Sequence, residues 1–293
     1  MTTRDDADKA PLSVVDRERA ERIGFSIKRI IESGAFKPPL LPEVAALLMT
    51  VAREPEVRIA DIEAIVCRDP AVAARVLRAA NSPFYRGSQV FTSISAAITR
   101  IGLRDVRDIA FQVATMSTVF RVPRYAERMR ELSSNAMISG AVAREICKTL
   151  RVDVELAYLC GLLHDMGEAA ILGIVADGCT KKRQPVPPLS ELATTVEGYH
   201  ELVGAWITRH WKLADVITDA ILDHHHPDRS RDTMPAVLAT TDRIVAHAAL
   251  PRAVRPAELE RAAIFDRLGL SAPQIASIAE FAERAIGESA KMR

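Results

Sequence analysis

Aromatic residues are scarce in this chain: phenylalanine, tyrosine and tryptophan together make up 5% of its 293 residues. Sandwiches and barrels draw their cores from large rings and β-branched residues, so a composition led by Ala, Leu, Ile, Val and Arg argues against them and for packed helices. Cysteine is rarer still. Cys67, Cys147, Cys160 and Cys179 are too few and too scattered for a disulfide framework, and no CxxC spacing marks a zinc or redox motif. Reduced, mostly buried thiols are the expectation. Neither sign of charge is in excess, with 39 basic against 38 acidic residues. The chain therefore has no broad field to draw a nucleic-acid backbone or an anionic membrane. No run reaches the roughly 18 apolar residues of a membrane span. The opening MTTRDDADKAPLSVVDRERAER has no signal-peptide core, and a cytoplasmic location is expected.

What is present is apolar periodicity cut by proline and glycine. Residues 1–15 carry none and read as a flexible lead-in. From Asp16 to about Ala35, Ile23, Ile27, Ile30 and Ile31 recur at three and four, which predicts an amphipathic helix stopped by Pro38 and Pro39. A helix should follow Pro42 and end at Pro55, and another should cover IADIEAIVCRD. Asp69 before Pro70 reads as an N-cap with proline at the first helical position, and Ser93 reads as a second cap. Gly102 should close the helix after Ser93 in a left-handed conformation. Asn81 to Tyr85 read as a structural corner. Beyond Pro123 the pattern predicts helices over 125–149, 154–173, 190–210, 213–225 and 234–248, then a group from 256 to 290. The Lys- and Pro-rich stretch 176–189 reads as a long loop. No repeat and no alternating strand pattern is found.

All seven histidines lie between residues 164 and 247. His164 and Asp165 interrupt CGLLHDMGEAAIL, where Gly167 permits close backbone approach. His200 follows on an apolar helix, then His224, His225 and His226 close DVITDAILDHHHP, and Asp242 sits inside PAVLATTDRIVAHAAL. Imidazoles and carboxylates on successive antiparallel helices can converge on one divalent metal, or on two bridged by a carboxylate. Each element has a plainer reading. A buried His–Asp pair can merely fix helix packing, and histidines at a helix end suit its dipole. His210 and His247 are assigned to structure.

In KPPLLPEVAALL, CRDPAVAARVLRAANSPFYRG, SISAAITRIGLRDVRDIAF, GLLHDMGE, YHELVGAWITRHWKLADVITDAILDHHHP and TTDRIVAHA, the chain resembles the HDOD family over about residues 25–285. That family is a signalling branch of the HD-domain superfamily of metal-dependent phosphohydrolases. The resemblance implies an all-α fold, with an N-terminal helical bundle over 16–122 packed on an HD-like bundle over 123–293. It also implies that His164, Asp165, His200, His224, His225 and Asp242 match the superfamily's metal-site motif, and with the departures that follow, at most one weakly held divalent ion is expected there.

Three departures stand out. Catalytic relatives carry a further histidine on the helix before the HD pair, but here that region is RELSSNAMISGAVARE, with Asn135 or Ser134 in its place. A neutral amide or hydroxyl is a poor substitute for imidazole on a transition metal. Glu168 stands where cyclic-dinucleotide-cleaving relatives place a lysine, setting a carboxylate against an anionic substrate. HHHPDRS also lacks the Gly-Tyr-Pro element of those relatives.

The leading reading is a non-catalytic regulatory protein acting through a signalling protein partner, with a small nucleotide as a further candidate ligand. The alternative is a metal-dependent phosphohydrolase acting on a nucleotide or phosphate ester. A third reads DIEAIVCRDPAVAARVLRAAN as a DNA-binding helix-turn-helix contacting phosphates through Arg68, Arg75 and Arg78, a patch diluted by Asp61, Glu63 and Asp69.

Overall fold

Capping residues and prolines cut the apolar pattern into helices that follow the predicted ones closely. The computed structural model describes residues 14–33, 37–51, 54, 56–82, 85, 90–152, 154, 156–250 and 263–291, and every regular element among them is helical. The lead-in expected over 1–15 falls outside the described residues, save for Val14 and Val15. Contacts divide the chain into two units, one of residues 1–39 with 120–293 and one of residues 40–119.

The first helix, α1 (Val14–Glu32), packs on a helix far along the chain, where its Gly24 approaches Thr195 and Tyr199. It thus belongs with the later unit and not with the N-terminal bundle expected over 16–122, because its buried Ile27 and Gly24 close a helix interface.

The 40–119 unit contains α2 (Glu43–Val51), α3 (Ile59–Val66), α4 (Pro70–Ala80), α5 (Ile94–Ile101) and α6 (Leu103–Thr118). Its core is aliphatic, built on Val44, Leu48, Ile62, Val66, Val76, Ile98 and Val106. The Asp69 carboxylate accepts from the backbone of Ala71 at 2.8 Å and Val72 at 3.3 Å, and Ser93 Oγ accepts from Ala96, so both caps are in place. Gly102 has a positive φ of 85°, but its ψ of 158° is extended rather than left-handed helical. The chain turns there straight into α6. Asn81 is a corner staple: its amide donates to Leu77 O and Phe91 O, and its Oδ1 accepts from Phe91 N. Pro83 and Phe84 of that corner lie outside the described residues. Arg68 pairs with Glu43 at 2.6 Å, which commits one of the three arginines of the DNA-binding reading.

The other unit continues with α7 (Ala126–Leu150), α8 (Ala157–Leu163), α9 (Met166–Lys181), α10 (Leu189–His210), α11 (Asp215–Leu222), α12 (Met234–Ala249), α13 (Ala263–Leu268) and α14 (Ala272–Lys291). Here α7 lies against α8, α12 and α14, α9 against α10, and α10 against α11 and α1. The helix expected over 154–173 is broken at residues 164–165. The loop expected over 176–189 shrinks to 182–188, because α9 runs on to Lys181. The stretch Ala157–Lys181 is apolar enough by length and composition to cross a membrane, yet it is mostly buried inside the protein. Cys147 and Cys160 are buried as expected, whereas Cys67 is exposed and Cys179 half-buried.

Candidate metal centre

The break between α8 and α9 is built by side chains. Gly161 brings α8 against α7 so closely that a Cβ there would lie 2.5 Å from Ser139 O. One turn on, His164 Nδ1 donates to Gly161 O at 2.8 Å, taking a carbonyl that a continuing helix would use. Asp165 then starts α9. The same device recurs at the end of α11, where His224 Nδ1 donates to Ile221 O at 2.7 Å. His200, inside α10, donates from Nδ1 to Val196 O at 2.9 Å. These three bonds place the Nδ1 proton of each ring on its own backbone and aim every Nε2 toward the centre.

The free nitrogens converge. His200 Nε2 lies 3.4 Å from His224 Nε2 and 3.0 Å from His225 Nε2. Asp165 Oδ1 lies 3.7 Å from His200 Nε2 and 3.6 Å from His224 Nε2. On the other side of Asp165, His164 Nε2 lies 3.2 Å from Asp165 Oδ2 and 2.9 Å from Asp242 Oδ1, but makes no hydrogen bond of acceptable geometry to either. All six residues predicted for the motif therefore meet, in two overlapping groups: Asp165 with His200, His224 and His225, and His164 with His224 and Asp242. His164, His200 and His224 are buried, while Asp165 and His225 reach toward solvent. His210 is exposed and stacks on Trp206, outside the cluster, in keeping with its structural assignment.

The electrostatics follow from this crowding. Burial opposes charge on His164, yet Asp165 and Asp242 outweigh it and hold its pKa well above the ordinary imidazole value. For Asp165, desolvation is overcome by His164 and His224, which hold the carboxyl well below its usual range. His225, unlike His164, is lowered, by burial and by its neighbours His224 and His200.

The residues fit a cation. Two imidazole lone pairs 3.4 Å apart repel unless positive charge lies between them, and His164 Nε2 is a buried nitrogen without a satisfactory partner. Imidazole and carboxylate together suit a divalent ion of the zinc, iron or manganese type.

The first two departures resolve differently. Ser134 is buried and shares a 2.6 Å hydrogen bond with Ser289 of α14, whereas Asn135 is exposed. Asn135 lies seven residues beyond Arg128, two helical turns along the same face of α7. Arg128 meets α9 at Glu168, through Nε at 2.6 Å and Nη2 at 3.0 Å. Glu168 is therefore not a bare carboxylate facing a substrate: a bidentate guanidinium neutralises it, and Arg128 is itself held in its charged form by Glu168 and Glu131. Sequence reading missed Arg128, although its position two turns before Asn135 was a usable signal. It also missed Glu201, which follows His200 directly and accepts from His225 N at 3.2 Å.

A family model described as the HDOD domain matches residues 39–227, more than half of the chain. Among solved structures, the fold is similar to that of a candidate metal-dependent phosphohydrolase from Shewanella amazonensis, 20% identical with a TM-score of 0.73, covering 93% of this chain and 99% of the other. It is also similar to an HDOD domain protein of unknown function from Geobacter sulfurreducens, 22% identical with a TM-score of 0.66, covering 93% and 96%. At such identities the likeness is one of fold. An uncharacterised protein of Treponema pallidum is 23% identical over 211 residues, which are 69% of this chain and 40% of that relative, so the chain spans well under half of the relative's length.

Proposed function

Because the chain belongs to the HDOD domain family, we propose that it is a metal-holding regulatory module of bacterial-type signalling. In this reading it acts by presenting its surface to a protein partner and not by turning over a phosphate ester. The observation that carries the metal is the approach of two bare imidazole nitrogens, His200 and His224, beside Asp165. One divalent ion would be held by Asp165, His200, His224 and His225, where it would supply fixed positive charge and Lewis acidity. His164 keeps a proton between Asp165 and Asp242 and so completes the charge balance on the other side of the shared carboxylate. With an exposed amide at position 135 and Arg128 engaged by Glu168, the site offers little further charge to stabilise a transferring phosphoryl group. A small nucleotide remains a candidate regulatory ligand.

The second reading is a phosphohydrolase. It is favoured by the Arg128–Glu168 pair, which removes the anionic barrier that Glu168 alone would pose, and by the fold shared with a candidate metal-dependent phosphohydrolase. Elemental analysis after dialysis, paired with a phosphoesterase screen over nucleotides and cyclic dinucleotides with added divalent ions, separates the two. The regulatory reading expects at most one weakly held ion per chain after dialysis, lost in Asp165→Ala, and no metal-dependent turnover. Turnover abolished by Asp165→Ala would install the enzyme instead.

A further inference from the structure

We propose that Glu201 is a positioning residue for this centre, clamping the turn at 223–226 onto α10 so that His224 and His225 face His200 together. The inference rests on the cation reading above. Three of the four residues assigned to the ion depend on how two elements register. His200 comes from the interior of α10, whereas His224 and His225 follow the last residue of α11, Leu222, in a turn closed by His226 N to Asp223 O at 2.9 Å. A turn held only within itself would leave its two rings free to shift against His200.

Glu201 supplies the tie. Its Oε1 accepts from His225 N at 3.2 Å and lies 4.0 Å from His224 Nδ1, and its side chain is only 18% exposed. Because Glu201 is next to His200, any rotation of α10 moves ligand and clamp as one body. The charge acts too. His224 donates its Nδ1 proton to Ile221 O, and a carboxylate 4.0 Å from that edge strengthens the electron pair that the opposite nitrogen offers to a cation.

The test compares wild type, Glu201→Ala, Glu201→Asp and Glu201→Gln, with Glu197→Ala as an exposed control one turn away on the same helix. Co2+ is titrated and followed by its visible ligand-field bands. Glu201→Ala should weaken Co2+ binding by about 10–100-fold and change the band shape, as loss of an outer-shell partner does. Glu201→Asp keeps the charge but falls short of His225 N, so it should lose affinity in the same direction. Glu201→Gln keeps an acceptor of the right reach and should recover most of it. Glu197→Ala should match wild type.

The metal-free proteins are compared by amide exchange across 221–227, which should quicken in Glu201→Ala and Glu201→Asp but not in Glu201→Gln. Wild-type Co2+ affinity and unaltered exchange in Glu201→Ala and Glu201→Asp would overturn the clamp. A wild-type chain that takes up no Co2+ overturns the cation reading, while quickened exchange in the variants would still establish the clamp.

Discussion

Each of the three buried histidines gives its Nδ1 proton to a carbonyl three or four residues back on its own chain, and so turns Nε2 to the centre. Local backbone thus sets the chemistry of a long-range site, and the site inherits an imidazole pH dependence. An ion takes neutral rings, so metal retained on dialysis should fall as acid protonates the imidazole ligands. The lowered pKa of His225 keeps that ring neutral further into acid, whereas the raised pKa of His164 means that its proton is still present near neutrality. Metal content measured after dialysis at pH 8 and at pH 5 checks this, and equal retention would sink it. In the other unit, the Asn81 side chain makes one hydrogen bond to Leu77 O within α4 and two to Phe91, which tie the end of α4 to that residue. Asn81→Ala takes these partners from Phe91 N and Phe91 O and should cost about 1–3 kcal/mol in denaturant unfolding.

Elements meet at this centre because glycine lets their backbones touch. A Cβ on Gly167 of α9 would lie 1.9 Å from His200 O and 2.8 Å from Gly204 N, both backbone atoms of α10 that cannot swing aside. Gly167→Ala should therefore cost about 3 kcal/mol or more, at the high end for overpacking, and should lower metal retention because His200 rides on the displaced helix. On the same helix a methyl added at Gly178 would meet nothing within 4 Å, and Gly178→Ala should stabilise by about 0.4–1 kcal/mol. Thermal unfolding of the pair decides the matter, and similar effects from both would refute the close-crossing account. Much at this scale was legible beforehand. Asp69-Pro70 and Ser93 stated their helix starts, Gly167 stated a close approach, and the order of His and Asp residues stated the cluster. The break at 164–165 was not legible, because the residues around it are as apolar as any buried helix and it is marked by the His164 side chain donating to Gly161 O. The Arg128–Glu168 and Glu201–His225 ties were equally hidden, since they join residues 40 and 24 apart in sequence.

At the scale of the whole molecule, the six site residues lie between 164 and 242, in the unit formed by residues 1–39 and 120–293. Residues 40–119 form the other unit, so the site-bearing unit is discontinuous in sequence and its first helix, α1, is held by packing on α10. The segment 182–188 is its weak point for a protease. It is non-helical, exposed from Lys182 to Pro185, and presents Lys181, Lys182 and Arg183 at the C-terminal end of α9. Limited trypsin digestion should cut there early among the described residues. The resulting fragments, about 1–183 and 184–293, should remain together under native conditions, because the cut leaves intact the α9–α10 crossing and the meeting of His164 and Asp165 with His200, His224 and Asp242. They should part only in denaturant. Size-exclusion chromatography of the nicked protein reads the result, and a divalent ion bridging Asp165 to the three imidazoles should make the nicked complex more resistant to heat. Fragments that separate without denaturant, or an early cut between Val122 and Tyr125 that leaves two stable pieces, would show that the packing of this unit is weaker than its buried histidines and glycine contacts imply.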